Sequence, residues 1–400
     1  MFRKHESEVL VTGAGPVGLF TALRLAERGI KVRVIDQERR TASHSYALVL
    51  HPGTLEILAE AGLGDRLLEV GNRLDTMSLY DADGERAAIR FAELGGDFAH
   101  ALVLPQSALE TALEAALERK GVEVLWNHRL VGMEIESDGV TAEVAKLDRT
   151  ASGYPYARME WVVSKTFRSR TSFLIGADGY SSFVRKRAGV DYQDHGGALS
   201  FSVYEFECDA DVQHDARLVL NPDNSNVLWP IGGGRFRFNF QVDNVSRHRG
   251  EPAQLEELIR ERAPWFTWTP GEVRWNTSVL FERRLVDRFG SGRTWLAGDS
   301  AHITGPVGGQ SMNVGMREGR DLAERMAACL RDGAPVESLE EYGSERVAEW
   351  RGLLGLDAAL RPDNGTDPWI AERAERLLPC IPASGKALES LAGQLGLSFT

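Results

Sequence analysis

Cysteine is scarce in this chain: Cys208, Cys329 and Cys380 stand far apart, with no metal-type spacing between them. An odd, sparse set argues against a disulfide scaffold and fits unpaired thiols in a reducing compartment. Long apolar runs are missing as well. No stretch reaches the roughly 18 uninterrupted apolar residues of a membrane helix. The apolar segment near the N-terminus holds Gly13, Gly15 and Pro16, which makes it a poor signal-peptide core and a good strand and turn. There is no basic tract, and the net charge is -12, so nothing offers to neutralise phosphates and nucleic acid is disfavoured as a partner. What remains is an ordinary globular mixture, 43% hydrophobic and 26% charged. The 400 residues allow two domains, or one large α/β domain with an inserted lobe. A cytoplasmic enzyme without a metal or a membrane span is the expectation.

The first informative stretch is Glu8-Val9-Leu10-Val11-Thr12-Gly13-Ala14-Gly15-Pro16-Val17-Gly18. A short apolar strand runs into Gly-x-Gly-x-x-Gly, and a helical pattern follows through Leu19, Leu23, Leu25 and Ala26. The helix ends at Gly29, and a second strand, Lys31 to Ile35, finishes at Asp36 and Gln37. Gly13 permits a tight turn, Gly15 lets the backbone approach a pyrophosphate, and Gly18 lets helix pack on strand. Pro16 and Val17 then open a helix whose N-terminus faces the phosphates. An acid about 20 positions on, here Asp36, accepts hydrogen bonds from a ribose. The alternative is a structural βαβ unit whose glycines only serve packing. The unit alone does not decide between FAD and NAD.

Two later segments bear on that choice. Phe173-Leu174-Ile175-Gly176-Ala177-Asp178-Gly179 is a strand ending in a small-residue turn, with Ser181, Ser182, Val184 and Arg185 opening a helix. Thr294-Trp295-Leu296-Ala297-Gly298-Asp299-Ser300-Ala301-His302 is another such strand. It continues through Gly305-Pro306-Val307-Gly308-Gly309-Gln310 into a helix bearing Met312, Asn313 and Met316. Taken alone, Asp299 reads equally as a helix-cap or turn aspartate. A glycine-rich turn feeding a helix N-terminus offers unpaired N–H groups and a positive dipole end.

With these three motifs in this order, residues 7 to 350 resemble the single-component FAD-dependent monooxygenases of the para-hydroxybenzoate hydroxylase type, the aromatic hydroxylases. The resemblance implies that Gly13, Gly15 and Gly18 hold the FAD pyrophosphate and that Asp299 contacts the ribityl chain. It associates Asp178 with both FAD and the reduced nicotinamide. It places Gln106 beside the ribityl and Leu130, after an expected strand at Val122 to Trp126, against the adenine. Pro306, Gly308 and Gly309 would lie at the flavin face, with Met312 and Asn313 in the helix behind. The implied cofactors are FAD, with NADPH or NADH as electron donor. The implied reaction passes oxygen from O2 through a flavin C4a-hydroperoxide to an aromatic or polyketide-like small molecule.

The chain departs from the family in two places. Asp36 replaces the usual glutamate and still reaches a ribose. Tyr46, in His44-Ser45-Tyr46-Ala47-Leu48, stands where the family has an arginine linked to phosphate contacts and nicotinamide-driven reduction. Either Arg39 or Arg40 supplies that charge, or Tyr46 fills the space and backbone serves the phosphates. Tyr46 therefore keeps open a separate reductase, or a flavoprotein with structural FAD and a non-redox step such as cyclisation. A flavin-dependent halogenase is the third reading. Halogenases bring a lysine between flavin and substrate and a Trp-x-Trp-x-Ile-Pro stretch. Residues 41 to 110 contain no lysine, and Trp265-Phe266-Thr267-Trp268 has other spacing.

The expected fold is α/β: a Rossmann-type FAD-binding domain (1–75, 101–190 and 280–345), an inserted, mostly antiparallel substrate domain (76–100 and 191–279) and C-terminal helices (346–400). Alternation marks strands at Ala198 to Glu207, Ala216 to Leu220, Asn226 to Pro230 and Arg235 to Val242, with a hairpin turn at Gly232-Gly233-Gly234. Met77 to Tyr80 and Ala87 to Phe91 form another hairpin around Asp83-Gly84. Tyr204, Trp229, Arg237 and Asn239 lie on these strands and are candidate substrate contacts; the alternative is that the aromatics are core and Arg237 is solvated. No histidine stands out as a substrate base, and His302, inside the flavin motif, reads as structural. Helical patterns follow at Leu322 to Leu330, Glu340 to Leu356 and Ile370 to Leu378. The chain is expected to end too soon for the thioredoxin-like domain that many larger relatives carry.

Overall fold

A computed structural model describes residues 7–40, 47–152, 158–210, 212–243 and 252–400. The apolar run Val9–Thr12 is buried along its length and sits inside a six-stranded sheet. Val32–Ile35 and Phe173–Gly176 flank it, both parallel to it. Thr294–Leu296 and Val124–Leu125 extend the parallel set outward, and Gly290–Ser291 adds an antiparallel edge. Strands apolar on both sides need cover on both faces. The helices Pro16–Glu27, Gln106–Arg119 and Gln310–Ala327 supply apolar residues to that core, with Phe20, Leu113 and Leu322 fully buried in it.

The strand expected over Val122–Trp126 contracts to two residues. Leu130 belongs instead to the next strand, His128–Glu136, of a separate three-stranded antiparallel sheet with Gly139–Ser152 and Arg158–Thr171. In the long hairpin of that sheet Val140, Ala142 and Val144 alternate into the core, while the strand Arg158–Thr171 is charged and largely solvated.

A third, eight-stranded sheet runs in the order His302–Ile303, Pro270–Val286, Tyr192–Cys208, Arg235–Val242, Asn224–Gly232, Asp215–Asn221, Thr76–Asp81, Gly84–Arg90. All its pairs are antiparallel but one, Asp215–Asn221 beside Thr76–Asp81. Gly233 and Gly234 turn the expected hairpin with φ of 63° and 74°. Pro270–Val286 runs on past residue 279, where the sequence reading ends the lobe. Side chains alternate across this sheet. Tyr204, Phe206, Phe236, Phe238 and Phe240 fill a core on one face with Leu255 and Leu258 of the helix Pro252–Arg262. Phe201, Val203, Val227 and Trp229 face the other way.

The C-terminal residues form helices Leu339–Leu353, Pro368–Leu377 and Gly385–Gln394, and a strand pair, Leu360–Pro362 with Leu397–Phe399. Leu377, Ile381 and Leu391 share one core with Trp229 and Val307. Among the described residues, no helix is long and apolar enough to cross a membrane, and no group of His, Cys, Asp and Glu could hold a metal ion. All three cysteines are free.

Candidate active site

Because the central strands are parallel, the turns after Thr12, Gly176 and Leu296 gather at one edge of the sheet, where ligands enter α/β folds. The turns interlock at backbone distances. Gly13 sits at φ 101°, and a Cβ there would lie 2.0 Å from the Ala177 carbonyl oxygen; one on Gly18 would lie 2.0 Å from the Gly13 carbonyl oxygen. Gly15 is different: a Cβ there would meet nothing within 4 Å. It caps the helix Pro16–Glu27, which has no side-chain cap and no acid in its first turn. An open, uncapped helix N-terminus of this kind is a seat for phosphate.

Two adjoining cavities open on these turns and share Gly15, Ala177 and Gly179. The larger, about 620 Å³, is lined by Gly13, Asp36, Gln37, Leu130 and Asp178. The smaller, about 320 Å³, is lined by Pro16, Val17, Gly18, Gln106, Asp299, Pro306, Gly309 and Met312, and on its far side by Trp229 and Phe281. The sequence-derived residues thus divide between two ends of one crevice, joined at Gly15.

The three aspartates do different work. Asp36 accepts from the Ala14 N–H at 2.6 Å and the Glu38 N–H at 2.7 Å, so its carboxylate braces the glycine turn. Asp178 accepts from Ser182 Oγ at 2.5 Å and the Phe183 N–H at 2.7 Å, which caps the helix Phe183–Arg187; burial raises its pKa against those donors. Asp299 is the one facing open space. Its carboxylate has no partner among the described residues, while its carbonyl accepts from the Tyr192 hydroxyl. Its side chain is exposed to the cavity, and desolvation by the surrounding protein raises its pKa, with Glu318 adding to the rise.

The helix Gln310–Ala327 begins at Gly309, in the left-handed conformation, with neither a side-chain cap nor an acid in its first turn. Its positive end therefore faces the smaller cavity. Asn313 does not line that cavity. Its amide donates to the carbonyls of Val49 and Gly309 and accepts from the His51 N–H, each at 2.8 Å, so it locks the turn from behind. The expectation for Gly308 also changes. It faces Pro379, whose carbonyl oxygen would lie 2.4 Å from a Cβ, and its own carbonyl accepts from His51 Nε2 at 2.8 Å. Its small size serves packing of the C-terminal segment rather than approach to a ligand.

Beneath Asp299 lies a buried group that the motifs do not include. Glu318 accepts from the Gly298 N–H at 2.9 Å, His302 Nε2 at 2.9 Å and Trp350 Nε1 at 2.5 Å, and His302 stacks on Trp350 at 3.7 Å. Burial opposes its ionisation, but His302 and the donors outweigh that and hold its pKa below the usual value. One signal was available: Glu318 lies four residues from both Val314 and Leu322, on the apolar face of its helix.

On the substrate side, register aligns Trp229, Arg237, Glu205 and Trp275 across four strands of one sheet face. Trp229 reaches the cavity. Arg237 is held by Glu205 and lies 5.3 Å from the Trp275 ring, so it is a paired interior cation and does not line the cavity. Asn239 sits one row on, between Val203 and Val227, 3% exposed, and its Oδ1 has no partner among the described residues. Tyr204 is not a substrate contact and follows the alternative reading, as core. It points to the opposite face, edge-on to Phe240 in the core under the helix Pro252–Arg262. Phe281 takes its place as a cavity aromatic. Tyr46, with its neighbours 41–46, lies outside the described residues.

Residues 6–354 match the family model described as FAD binding domain. The chain belongs to this family. Its relatives include an uncharacterised aromatic compound monooxygenase of Bacillus subtilis, 28% identical over 88% of this chain and 68% of its own length. Another is the 6-methylpretetramide 4-monooxygenase of Streptomyces rimosus, 30% identical over 87% of this chain and 60% of its own length. In fold, the p-nitrophenol 4-monooxygenase of Pseudomonas putida covers 98% of this chain, and 93% of its own is covered, at a TM-score of 0.73 and 21% identity. The protein is an FAD-dependent monooxygenase of the para-hydroxybenzoate hydroxylase type. The halogenase and non-redox alternatives find no support among these relatives. For this flavoprotein the geometry fits the cofactor: an open glycine cradle for the pyrophosphate, an unpartnered carboxylate for a sugar hydroxyl, and a bare helix end for the flavin.

Proposed function

We propose that this flavoprotein oxygenates a planar aromatic or polyketide-like small molecule, with NADPH or NADH as electron donor. The observation that carries the reading is the smaller cavity. It joins the cofactor cradle at Gly15 to an aromatic floor of Trp229 and Phe281, and its lining is mostly apolar. Bound FAD supplies the electron transfer and the activation of O2; the chain supplies everything around it. In this reading Asp36, Gln37 and Leu130 hold the adenosine end, the helix Pro16–Glu27 holds the pyrophosphate, and Gln106 and Asp299 hold the ribityl chain. The first turn of the helix Gln310–Ala327 directs N–H groups toward the negative charge of the reduced ring. Trp229 and Phe281 orient the substrate ring by stacking and keep water from it. A cytoplasmic setting belongs to this reading and agrees with three free thiols.

The test is anaerobic reduction of the yellow protein by NADPH, followed by bleaching of the flavin, with phenolic and polycyclic compounds added in turn. One class of compound should accelerate bleaching, and Trp229→Phe should raise its KM while Tyr204→Phe leaves it within about twofold. A flavin that dithionite reduces and neither NADPH nor NADH ever does, whatever compound is present, refutes the use of NAD(P)H by this chain.

A further inference from the structure

The residues after 354 lie outside the stretch that matches the family, yet they hold part of the cofactor site. Gln310, the first residue of the cavity helix, is only 2% exposed. Its Nε2 donates to two carbonyls, Ile381 at 2.8 Å and Ala383 at 2.9 Å. Gly308, two positions earlier, is pressed against Pro379, and Arg317, farther along the helix, donates to Ser384 Oγ. The same segment is tied to the substrate sheet. Arg376 donates to the carbonyls of Asn221, Pro222 and Asn224. Gln394 exchanges hydrogen bonds with the Arg90 backbone, and the Trp369 indole donates to Asp81. The C-terminal segment therefore bridges the substrate sheet, at Asn221–Asn224, Asp81 and Arg90, and the turn at Gly308–Gln310.

We propose that Gln310 is a positioning residue, through which the C-terminal segment sets the orientation of the cavity helix's first turn toward bound FAD. The inference rests on the FAD reading of this site. Two acceptors on one amide nitrogen fix which end of the carboxamide points where, and the turn cannot pivot without breaking both buried bonds. Hydrogen bonds from a helix end weaken steeply outside a narrow range of distance and angle, so a small pivot is enough to change how the reduced flavin is stabilised. Among the described residues, no other side chain of the first turn hydrogen-bonds to the C-terminal segment, and Asn313 is occupied by Val49, Gly309 and His51.

The experiment compares Gln310→Ala with Gln394→Ala in the holoprotein. Gln394→Ala loosens the same segment at its far end, away from the flavin. The readouts are FAD dissociation, the visible spectrum of the bound flavin and its reduction potential. Gln310→Ala should weaken FAD by about tenfold, lower the potential and shift the spectrum, while Gln394→Ala stays within about twofold on affinity with an unchanged spectrum. A folded Gln310→Ala protein with wild-type affinity, spectrum and potential overturns the proposal; so do equal changes in both variants, which would make Gln310 merely structural. If Gln310→Ala does not fold, Gln310→Asn, one methylene too short for both carbonyls, is judged by the same criteria. Failure of that variant to fold also counts against a positioning role. A wild-type protein that binds no FAD would instead sink the reading beneath.

Discussion

Two of the three glycines of the first motif, Gly15 and Gly18, make opposite predictions. In Gly18→Ala the new methyl would lie 2.0 Å from the Gly13 carbonyl oxygen, where real contacts stay beyond 3.0 Å. Gly13 itself is wedged so closely that a Cβ on it would lie 2.0 Å from the Ala177 carbonyl oxygen. No flexible side-chain end is available to yield. Overpacking of this kind costs about 1–3 kcal/mol, and the better helix propensity of alanine offsets about 1 kcal/mol at most. The apoprotein should therefore lose on the order of 1–2 kcal/mol. In Gly15→Ala the methyl meets no protein atom within 4 Å, and φ of -74° suits alanine. Apoprotein stability should hold or rise slightly, by up to about 1 kcal/mol. That methyl instead occupies the approach to the pyrophosphate. An equivalent steric cost of about 1–3 kcal/mol, now charged to binding, weakens FAD roughly 5- to 150-fold. Urea denaturation of the apoproteins and FAD titration by fluorescence separate the two effects. Gly15→Ala binding FAD as tightly as wild type would refute the cradle; Gly18→Ala with unchanged urea midpoint would refute the packing.

Asp299→Ala should leave the apoprotein's urea midpoint unchanged or raise it, since the carboxylate has no partner among the described residues and desolvation opposes its charge, yet weaken FAD by about tenfold or more in the same titration. Asn313→Ala breaks three buried hydrogen bonds and should cost about 3 kcal/mol of apoprotein stability, read from the urea midpoint. Burial pushes the His51 pKa from 6.5 down to about 3. The unfolded chain then binds a proton that the folded one refuses, so stability falls as pH drops through 6.5 toward 3. Between about pH 7 and pH 5.5 this amounts to about 1 kcal/mol. His51→Gln should flatten that part of the slope in urea melts at the two pH values.

Motifs that carry glycine and acid at fixed offsets were legible in the sequence, because backbone approach and helix ends demand particular residues at particular steps. The parallel strands at Val9, Phe173 and Thr294 follow from them. Which partner each acid serves was not legible. Asp36 and Asp178 are taken up by backbone N–H groups and Asp299 is left free, and that difference depends on turns folding together from distant segments. Sheet faces stayed open for a similar reason. Tyr204 and Trp229 both sit on alternating strands, and only the cross-strand register decides which one meets the cavity. The strand Pro270–Val286 alternates through Val273, Trp275, Thr277, Val279 and Phe281 with Arg274, Asn276 and Ser278 between them, a signal that was available in the sequence and that the expected strands leave out. In the hairpin strands Gly139–Ser152 and Arg158–Thr171, only Val140, Ala142 and Val144 keep a short apolar alternation, and the charged residues around them mask it. The C-terminal contribution to the turn at Gly308 and Gln310 comes from residues more than 70 positions away, which no local spacing reports.

The chain passes back and forth between the six-stranded and eight-stranded sheets, and its last passage, from Thr294–Leu296 to His302–Ile303, comes only after residue 290. Neither sheet closes until most of the polypeptide exists. A growing chain would carry open strand edges for much of its synthesis, and contacts this far apart in sequence form slowly. Cofactor capture therefore comes late, after the segment bearing Asp299 has docked beside the glycine cradle made at the very start. Free FAD in the cell should then act less as a nucleus for folding than as a lock on its final step, raising the yield of completed chains without speeding the early ones.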